Sequence, residues 1–191
     1  MEDKNYYAHE TCIIDEGCEI GGGTRIWCKA HIMSGVVIGE DCNIGENAFI
    51  ESGVTVGNGV KIKNNVALYS GVVCEDDVFL GPSCVFTNVL TPRSFISRKN
   101  EFRTTLVRRG ATVGANATIV CGRTLGRYSM IGAGSVVTKD VPDYTLVIGN
   151  PAKFHAYVCK CGAKLNKDMV CTRCENSYKI INNRVMPIDE T

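Results

Sequence analysis

Along most of this chain an aliphatic side chain returns every sixth residue. From Ile14 the positions read Ile20, Ile26, Ile32, Ile38, Ile44, Ile50, Val56, Ile62, Leu68, Cys74, Leu80 and Phe86, and none is polar. The beat then breaks and resumes at Val107, Val113, Ile119, Leu125, Ile131 and Val137, which makes nineteen repeats. Four residues after each comes a second set, mostly small or β-branched: Cys18, Thr24, Ala30, Val36, Cys42, Ala48, Val54, Val60, Val66, Val72, Val78 and Cys84. A helix would space its apolar residues by about 3.6 and a half-buried strand by two, so neither explains a strict six. The period predicts short strands joined by turns, three to a coil, with coils stacked so that the aliphatic column is buried between them. Ala8 and Cys12 keep the same phase, which starts the first coil near Ala8. Glycine follows the aliphatic residue at 21, 39, 45, 57, 81, 114, 126 and 132. These read as tight turns that only a residue without Cβ accepts freely.

Phe86 and Val107 are 21 residues apart where the beat requires 6, so 15 residues are inserted, as a loop from about Val89 to Thr105. Insertions in a solenoid fall on one face and often carry the site. From Arg93 to Arg109 stand six cations, Arg93, Arg98, Lys99, Arg103, Arg108 and Arg109, against one anion, Glu101. Such a run can be a solvated face; concentrated on a short tethered excursion, it better suits a phosphorylated or carboxylated ligand that arginine grips bidentately. With three hexapeptides per coil, residues eighteen apart share a column. Ser52, Ser70 and Asn88 therefore stack, and removal of the loop brings Cys121 and Lys139 into the same column. Lys139 then lies two coils from Asn88, about 10 Å along one edge. Arg123 falls on an inward position, where an unpaired guanidinium would be costly, so it is expected to turn outward or to pair.

Charge and cysteine content narrow the picture. The net charge of the 191-residue chain is +1, from 21 basic and 20 acidic residues. No global field draws it to nucleic acid or to a membrane surface. The N-terminal stretch from Met1 to Tyr7 is polar, and no run is long enough to span a bilayer, so a cytoplasmic protein is expected. Of eleven cysteines, Cys12, Cys18, Cys42, Cys74 and Cys84 fall on inward repeat positions, where they act as small hydrophobes. The beat ends at Asp140-Val141-Pro142, and the chain divides into a solenoid over 1–153 and a cysteine-rich extension over 154–191. The extension holds Cys159-Lys160-Cys161 and Cys171-Thr172-Arg173-Cys174, a spacing that reads as a closed structural zinc site. Free or redox-active thiols are the alternative. A nucleic-acid-binding ribbon is disfavoured, because the extension's basic residues are dispersed and have no aromatic platform.

The segment Ile131-Gly132-Ala133-Gly134-Ser135-Val136-Val137-Thr138-Lys139-Asp140-Val141-Pro142, followed by Gly149-Asn150-Pro151-Ala152-Lys153, resembles the C-terminal signature of hexapeptide-repeat acyltransferases. Glu75-Asp76-Asp77-Val78-Phe79, Phe86-Thr87-Asn88, Pro92-Arg93-Ser94 and the run from Arg109 to Gly122 are similar to those of nucleotide-sugar N-acetyltransferases that acetylate a 3-amino group. The loop text Arg98-Lys99-Asn100-Glu101-Phe102-Arg103 most resembles enzymes acting on UDP-2-acetamido-3-amino-2,3-dideoxyglucuronate, on the way to bacterial surface polysaccharide. A similar class uses dTDP-3-amino-3,6-dideoxyhexoses, which lack that carboxylate.

The resemblance implies an all-β, left-handed parallel β-helix, assembled as a homotrimer with sites between subunits. Trp27, Met33 and Tyr69, apolar at turn positions, are candidate subunit contacts. It implies acetyl-CoA as co-substrate, with Gly114, Ala115, Gly132 and Ala133 along the pantetheine and Lys139 and Lys153 toward the phosphates. Tyr69, Ser70, Arg93, Arg98, Lys99 and Arg103 would hold the nucleotide sugar, and Asn88 would orient the amine or the thioester carbonyl. Many hexapeptide acyltransferases use a histidine base, but His9, His31 and His155 all lie off the loop and off the Asn88 column. Catalysis is therefore expected to rest mainly on positioning, the proton leaving to the thiolate, to water, or to a carboxylate such as Glu75 or Asp76. A β-helix carbonic anhydrase, which needs three histidine ligands at an interface, is disfavoured by the same histidines. A non-catalytic scaffold would need no cationic loop.

Overall fold

The computed structural model describes residues 5–188; the reading of residues 1–4 as a polar leader-free start lies outside them. The chain is an all-β solenoid of very short strands, most of them two residues long, wound into a three-sided prism. We call the sides faces A, B and C. Face A has nine strands, from Tyr7–Ala8 to Lys153–Tyr157; face B has seven, from Ile13–Ile14 to Val136–Val137; face C has six, from Glu19–Ile20 to Thr124–Leu125. Within the β-helix the strands pair in parallel, and each residue sits against the one eighteen positions on, as in Arg25 on Asn43 and Ile32 on Ile50.

The insertion appears as a single jump in register. Val72 pairs with Thr105, Phe79 with Thr112 and Val85 with Thr118, a step of 33, after which Leu106 on Thr124 restores eighteen. The loop thus leaves and rejoins one corner, B/C, without disturbing the stack.

Each two-residue strand turns one side chain out and one in. The inward column from Ile26 to Val137 forms one continuous core with Ala30, Val36, Val54, Val60, Val66, Val72 and Val78. Each aliphatic side chain so buried contributes roughly 1.5–3 kcal/mol. Ile14 and Ile20, in the first coil, are only half-buried. Cys42, Cys74 and Cys84 pack in this column, and burial pushes the Cys74 and Cys84 thiols up to about 12, so they stay protonated and inert. Thr24, the polar member of the second set, is satisfied: its hydroxyl donates to the Gly39 carbonyl and accepts from the Cys42 N–H.

The glycines that follow the aliphatic residues have a different reason from the expected one. None of them lies in the left-handed region. They are needed because the next coil passes directly beneath: a Cβ on Gly45 would stand 2.6 Å from the Lys63 carbonyl carbon, and one on Gly114 would stand 2.6 Å from the Ala133 nitrogen. Positive φ falls two residues later, at Gly17, Gly23, Lys29, Gly35, Asp41, Asn47, Gly53 and so on to Gly134, and there Asn and Asp serve as well as Gly.

At the C-terminal end Thr145–Ile148 closes face A on Met130–Ile131, and Lys153–Tyr157 then runs antiparallel to it. The expected junction at 153/154 therefore falls within a strand of face A. The remainder is a small cysteine-bearing unit and a hairpin, Tyr178–Ile181 with Arg184–Pro187. Asn182 and Asn183 both have positive φ in the hairpin turn, the two-residue geometry that matches strand twist.

Candidate active site

The B/C corner carries the predicted column. Ser52, Ser70, Asn88, Cys121 and Lys139 occupy successive coils, and the loop springs from Asn88: the Arg103 N–H donates to the Asn88 carbonyl at 2.9 Å, closing the loop at its base. Cys121 N–H donates to the Thr87 hydroxyl, which fixes the next coil under this point. The Asn88 side chain is half-buried, and its carboxamide makes no hydrogen bond among the described residues. It can both donate and accept toward a ligand. Ser70 is committed to the scaffold, its N–H donating to Glu51 and its hydroxyl to the Ser52 carbonyl. Tyr69 is half-buried beside Phe49, with ring centroids 6.1 Å apart.

The loop's cations separate into two groups. Arg93, Arg98, Lys99 and Arg103 belong to it; Arg108 and Arg109 do not, since they have re-entered the prism at the C/A corner, where Arg109 pairs with Asp77 at 3.2 Å. Within the loop, Arg98 donates to Glu101 at 2.8 Å across the turn Lys99–Glu101, and Arg93 donates to the Pro92 carbonyl. Arg103 lies with its alkyl stem over Gly122, whose missing side chain makes room for it. Phe95, 82% exposed, and the exposed Leu90, Ile96 and Phe102 make the loop apolar as well as basic.

The remaining predicted residues lie on the other two corners. Gly114, Ala115, Gly132 and Ala133 line the A/B corner, and Lys153, opposite Ile148, ends that edge one coil further. Lys139 stands on B/C, so the residues assigned to one cofactor path are split between the two edges of face B. Glu75 is at the C/A corner, where its carboxylate accepts the Arg109 N–H at 2.9 Å; Asp76 beside it accepts the Asn58 N–H. Within one chain Glu75 and Asn88 are not brought together, because a face of the prism separates them. Arg123 neither turns fully outward nor pairs completely: it is half-buried, and its Nε is buried without a partner.

Face B, between the two candidate edges, has an apolar exterior. Ile13 is 57% exposed and Val85 45%, His31 and Phe49 meet edge to face between them, and Trp27 on the A/B corner and Met33 and Tyr69 on the B/C corner flank the face. Sequence reasoning had the three flanking residues but not the face they frame. The outward positions Ile13, Phe49 and Val85, each thirty-six residues from the next, were the available signal.

The four tail cysteines converge. Their sulfurs all lie within 4.8 Å of one another, with Cys159 to Cys174 at 3.4 Å, Cys161 to Cys171 at 3.5 Å and Cys161 to Cys174 at 3.7 Å. A tetrahedron with Zn–S of about 2.3 Å has edges of about 3.8 Å, so the set fits one such ion. Backbone N–H groups of Cys161, Arg173 and Cys174 point at the Cys159 and Cys171 sulfurs, the donors that thiolate ligands take.

Two family models match the repeats: bacterial transferase hexapeptide (six repeats) over residues 17–52, and hexapeptide repeat of succinyl-transferase over residues 35–70 and 109–139. The chain is similar to dTDP-3-amino-3,6-dideoxy-α-D-galactopyranose 3-N-acetyltransferase of Aneurinibacillus thermoaerophilus, 46% identical over 176 residues that cover 91% of this chain and 90% of that one. It is 30% identical over 154 residues to the bifunctional protein GlmU of Heliobacterium modesticaldum, covering 71% of this chain and 33% of that one. Among solved structures it is similar to the acetyltransferase domain of PglB from Neisseria gonorrhoeae, alone and in complex with acetyl coenzyme A, with a TM-score of 0.55 at 19% identity. That match covers 78–79% of this chain and 57–58% of the solved chain, and it speaks for the fold. Among the described residues, no helix is long and apolar enough to cross a membrane.

Proposed function

The chain belongs to the hexapeptide-repeat sugar N-acetyltransferase family, and on that premise we propose that it transfers acetyl from acetyl-CoA to the 3-amino group of a nucleotide-linked sugar. The acceptor in this reading is a dTDP-3-amino-3,6-dideoxyhexose. The observation that carries it is the 46% identity, over nearly the full length of both chains, to an enzyme of that specificity. A second reading, the UDP-linked 3-amino uronate, is favoured by the arginine-rich loop text. The loop geometry weakens it, because Glu101 already engages Arg98, one of the loop arginines that would take a sugar carboxylate. Arg93, Lys99 and Arg103 are left for the diphosphate, which both acceptors share.

The split of site residues between two edges supports a trimer in which face B of each protomer turns toward the three-fold axis. The B/C edge of one protomer then meets the A/B edge of the next, and Asn88, Arg103 and Lys139 face the partner's cofactor edge across a groove. Burial of the apolar exterior of face B drives the association, and the exposed Phe95, Leu90 and Ile96 let the loop lean on the neighbour. Glu75, on the outer corner, is not part of this groove, so no proton transfer is assigned to it.

Transfer breaks the thioester C–S bond and forms an amide C–N bond. The amine must arrive neutral, and the proton it sheds on attack leaves with the sulfur as the CoA thiol or passes to water. Asn88 supplies orientation: its amide N–H polarises the carbonyl oxygen, or its carbonyl aligns the amine. In the same reading, the four cysteines hold one structural zinc ion. With four sulfur ligands the site has no open position for a substrate. The test is acetyl transfer by the purified protein with each sugar nucleotide in turn, followed by CoA thiol release and product mass. Turnover of the dTDP sugar supports the proposal; turnover of the uronate alone transfers it to the second reading; turnover of neither overturns the acceptor class.

A further inference from the structure

A β-helix built by stacking has an end, and its last coil must be covered or its core faces water. At the C-terminal end of this one, Val137, Val141 and Val147 are still buried in the core, against which Ala152 packs, while the C/A corner is covered by a second buried cluster that the tail supplies. We infer that the cysteine-bearing tail is the terminal cap of the solenoid, and that its metal site is wired to the last coils through Tyr178. The inference rests on the four-cysteine zinc reading above and is independent of the acetyl-transfer reading.

The C/A corner explains how. Asp77, Gly110, Tyr128 and Tyr144 occupy the same left-handed turn position in successive coils. Tyr128 covers Gly110, and Tyr144 stacks on Tyr128 with ring centroids 5.3 Å apart and planes 22° apart. The column does not stop where the coils stop. Tyr178, 34 residues after Tyr144, places its ring 5.3 Å from Tyr144, as the next coil would. The coil spacing of a parallel sheet is about 4.8 Å, so the tail extends the aromatic column by a side chain, its ring tilted 60° to Tyr144, where it no longer can by backbone.

Tyr178 is 3% exposed, and its far end is fixed by the metal ligands. Its hydroxyl donates to the Cys159 sulfur at 3.1 Å and accepts the Lys160 N–H at 3.0 Å. The Val158 N–H donates to the Tyr144 carbonyl, which sets Cys159 directly over the same corner, and the Lys160 ammonium lies 5.4 Å from the Tyr128 ring. Tyr144, Cys159, Cys171, Tyr178 and Val185 form one buried cluster with Tyr128 packed against it. A thiolate bound to a metal accepts a strong hydrogen bond from a phenol. Ion, tyrosine and the C/A corner of the final coils therefore form one unit, and loss of the ion frees the tail and uncovers Tyr144 and Tyr128 at that corner.

The full-length protein tests this. Zinc is measured per chain in the protein as purified, a cobalt-substituted sample is read for the visible spectrum of a tetrahedral thiolate site, and β-helix melting is followed by far-UV circular dichroism before and after the zinc is displaced with a mercurial and a chelating dye. Tyr178→Phe, which keeps all four sulfurs, is melted alongside. The expected result is one zinc per chain, a melting transition lowered by at least about 5 °C on removal, and a Tyr178→Phe protein that keeps its zinc but melts lower than the unaltered chain. Zinc bound with no effect of its removal on the β-helix transition overturns the cap and leaves the metal site standing. Absence of stoichiometric metal, with no cobalt spectrum, overturns both. Neither result bears on acetyl transfer, which is assayed separately.

Discussion

Two kinds of glycine occur at the corners of the prism, and they should respond differently to asparagine. Gly45 has an ordinary φ but no room: an added Cβ would meet the Lys63 carbonyl carbon at 2.6 Å and the Asn64 nitrogen at 2.7 Å. Comfortable carbon contacts begin near 3.5 Å, so Gly45→Ala must push two coils apart by nearly 1 Å. That overpacking costs about 3 kcal/mol, which in a chain of this length lowers the melting temperature by about 6–12 °C. Gly53 has the reverse constraint, with φ +79° and no atom within 4 Å of where a Cβ would be. Gly53→Ala incurs only the left-handed penalty of about 1–2 kcal/mol. Gly53→Asn should be nearly neutral, because Asn47, Asn65 and Asn116 already occupy that turn position at φ 56°, 60° and 55°. Thermal melts of the four variants Gly45→Ala, Gly45→Asn, Gly53→Ala and Gly53→Asn settle it. Asparagine should rescue position 53 and leave position 45 as damaged as alanine does. Rescue at both positions, or at neither, would refute the close-approach explanation.

Other consequences can be measured independently. Asn88→Ala should reduce kcat by more than about tenfold with CoA affinity retained, as expected for a positioning group; steady-state kinetics with unchanged kcat would remove it from the site. Leu80→Ala, in the fully buried column, should cost about 2–5 kcal/mol in urea unfolding. Asp77→Asn breaks an ion pair whose side chains are about half exposed, and the same unfolding assay should register less than about 1 kcal/mol. The Cys74 and Cys84 thiols, pushed up to about 12 by burial, are ionised to only roughly one part in ten thousand at pH 8. Native protein alkylated at that pH should leave both unmodified, and denatured protein should not.

Much of the fold was legible because its constraint is one-dimensional. A six-residue period with three steps per coil fixes register, and that fixed the Ser52–Ser70–Asn88–Cys121–Lys139 column and the position of the loop. What the period does not carry is the reason each residue is used. The glycines after the aliphatic positions looked like turn formers, but the close approach of Gly114 to Ala133 depends on the neighbouring coil, not on local sequence. Arg108 and Arg109 were counted with the loop because they follow it closely; the strand Thr105–Val107 carries them around the next face. Glu75 and Asn88 are near in sequence but lie on different corners, since thirteen residues are two faces and not a full coil. Tyr178 could be placed only by the tertiary stack on Tyr144, whereas Asn182-Asn183 was a turn signal open to reading from sequence.

The central claim is that the two edges of face B, contributed by different protomers, make one active site. The direct measurement is subunit complementation between Asn88→Ala, which disables the B/C edge, and Ala133→Trp, which blocks the exposed A/B edge. Each variant alone should keep less than about a tenth of the acetyl-transfer activity. Co-refolded in equal amounts, they should recover about a quarter of the unaltered activity, because random assembly with rotational symmetry leaves that share of interfaces with both good edges. Mixtures that assemble as trimers yet stay inactive would place the site within a single chain and contradict the account.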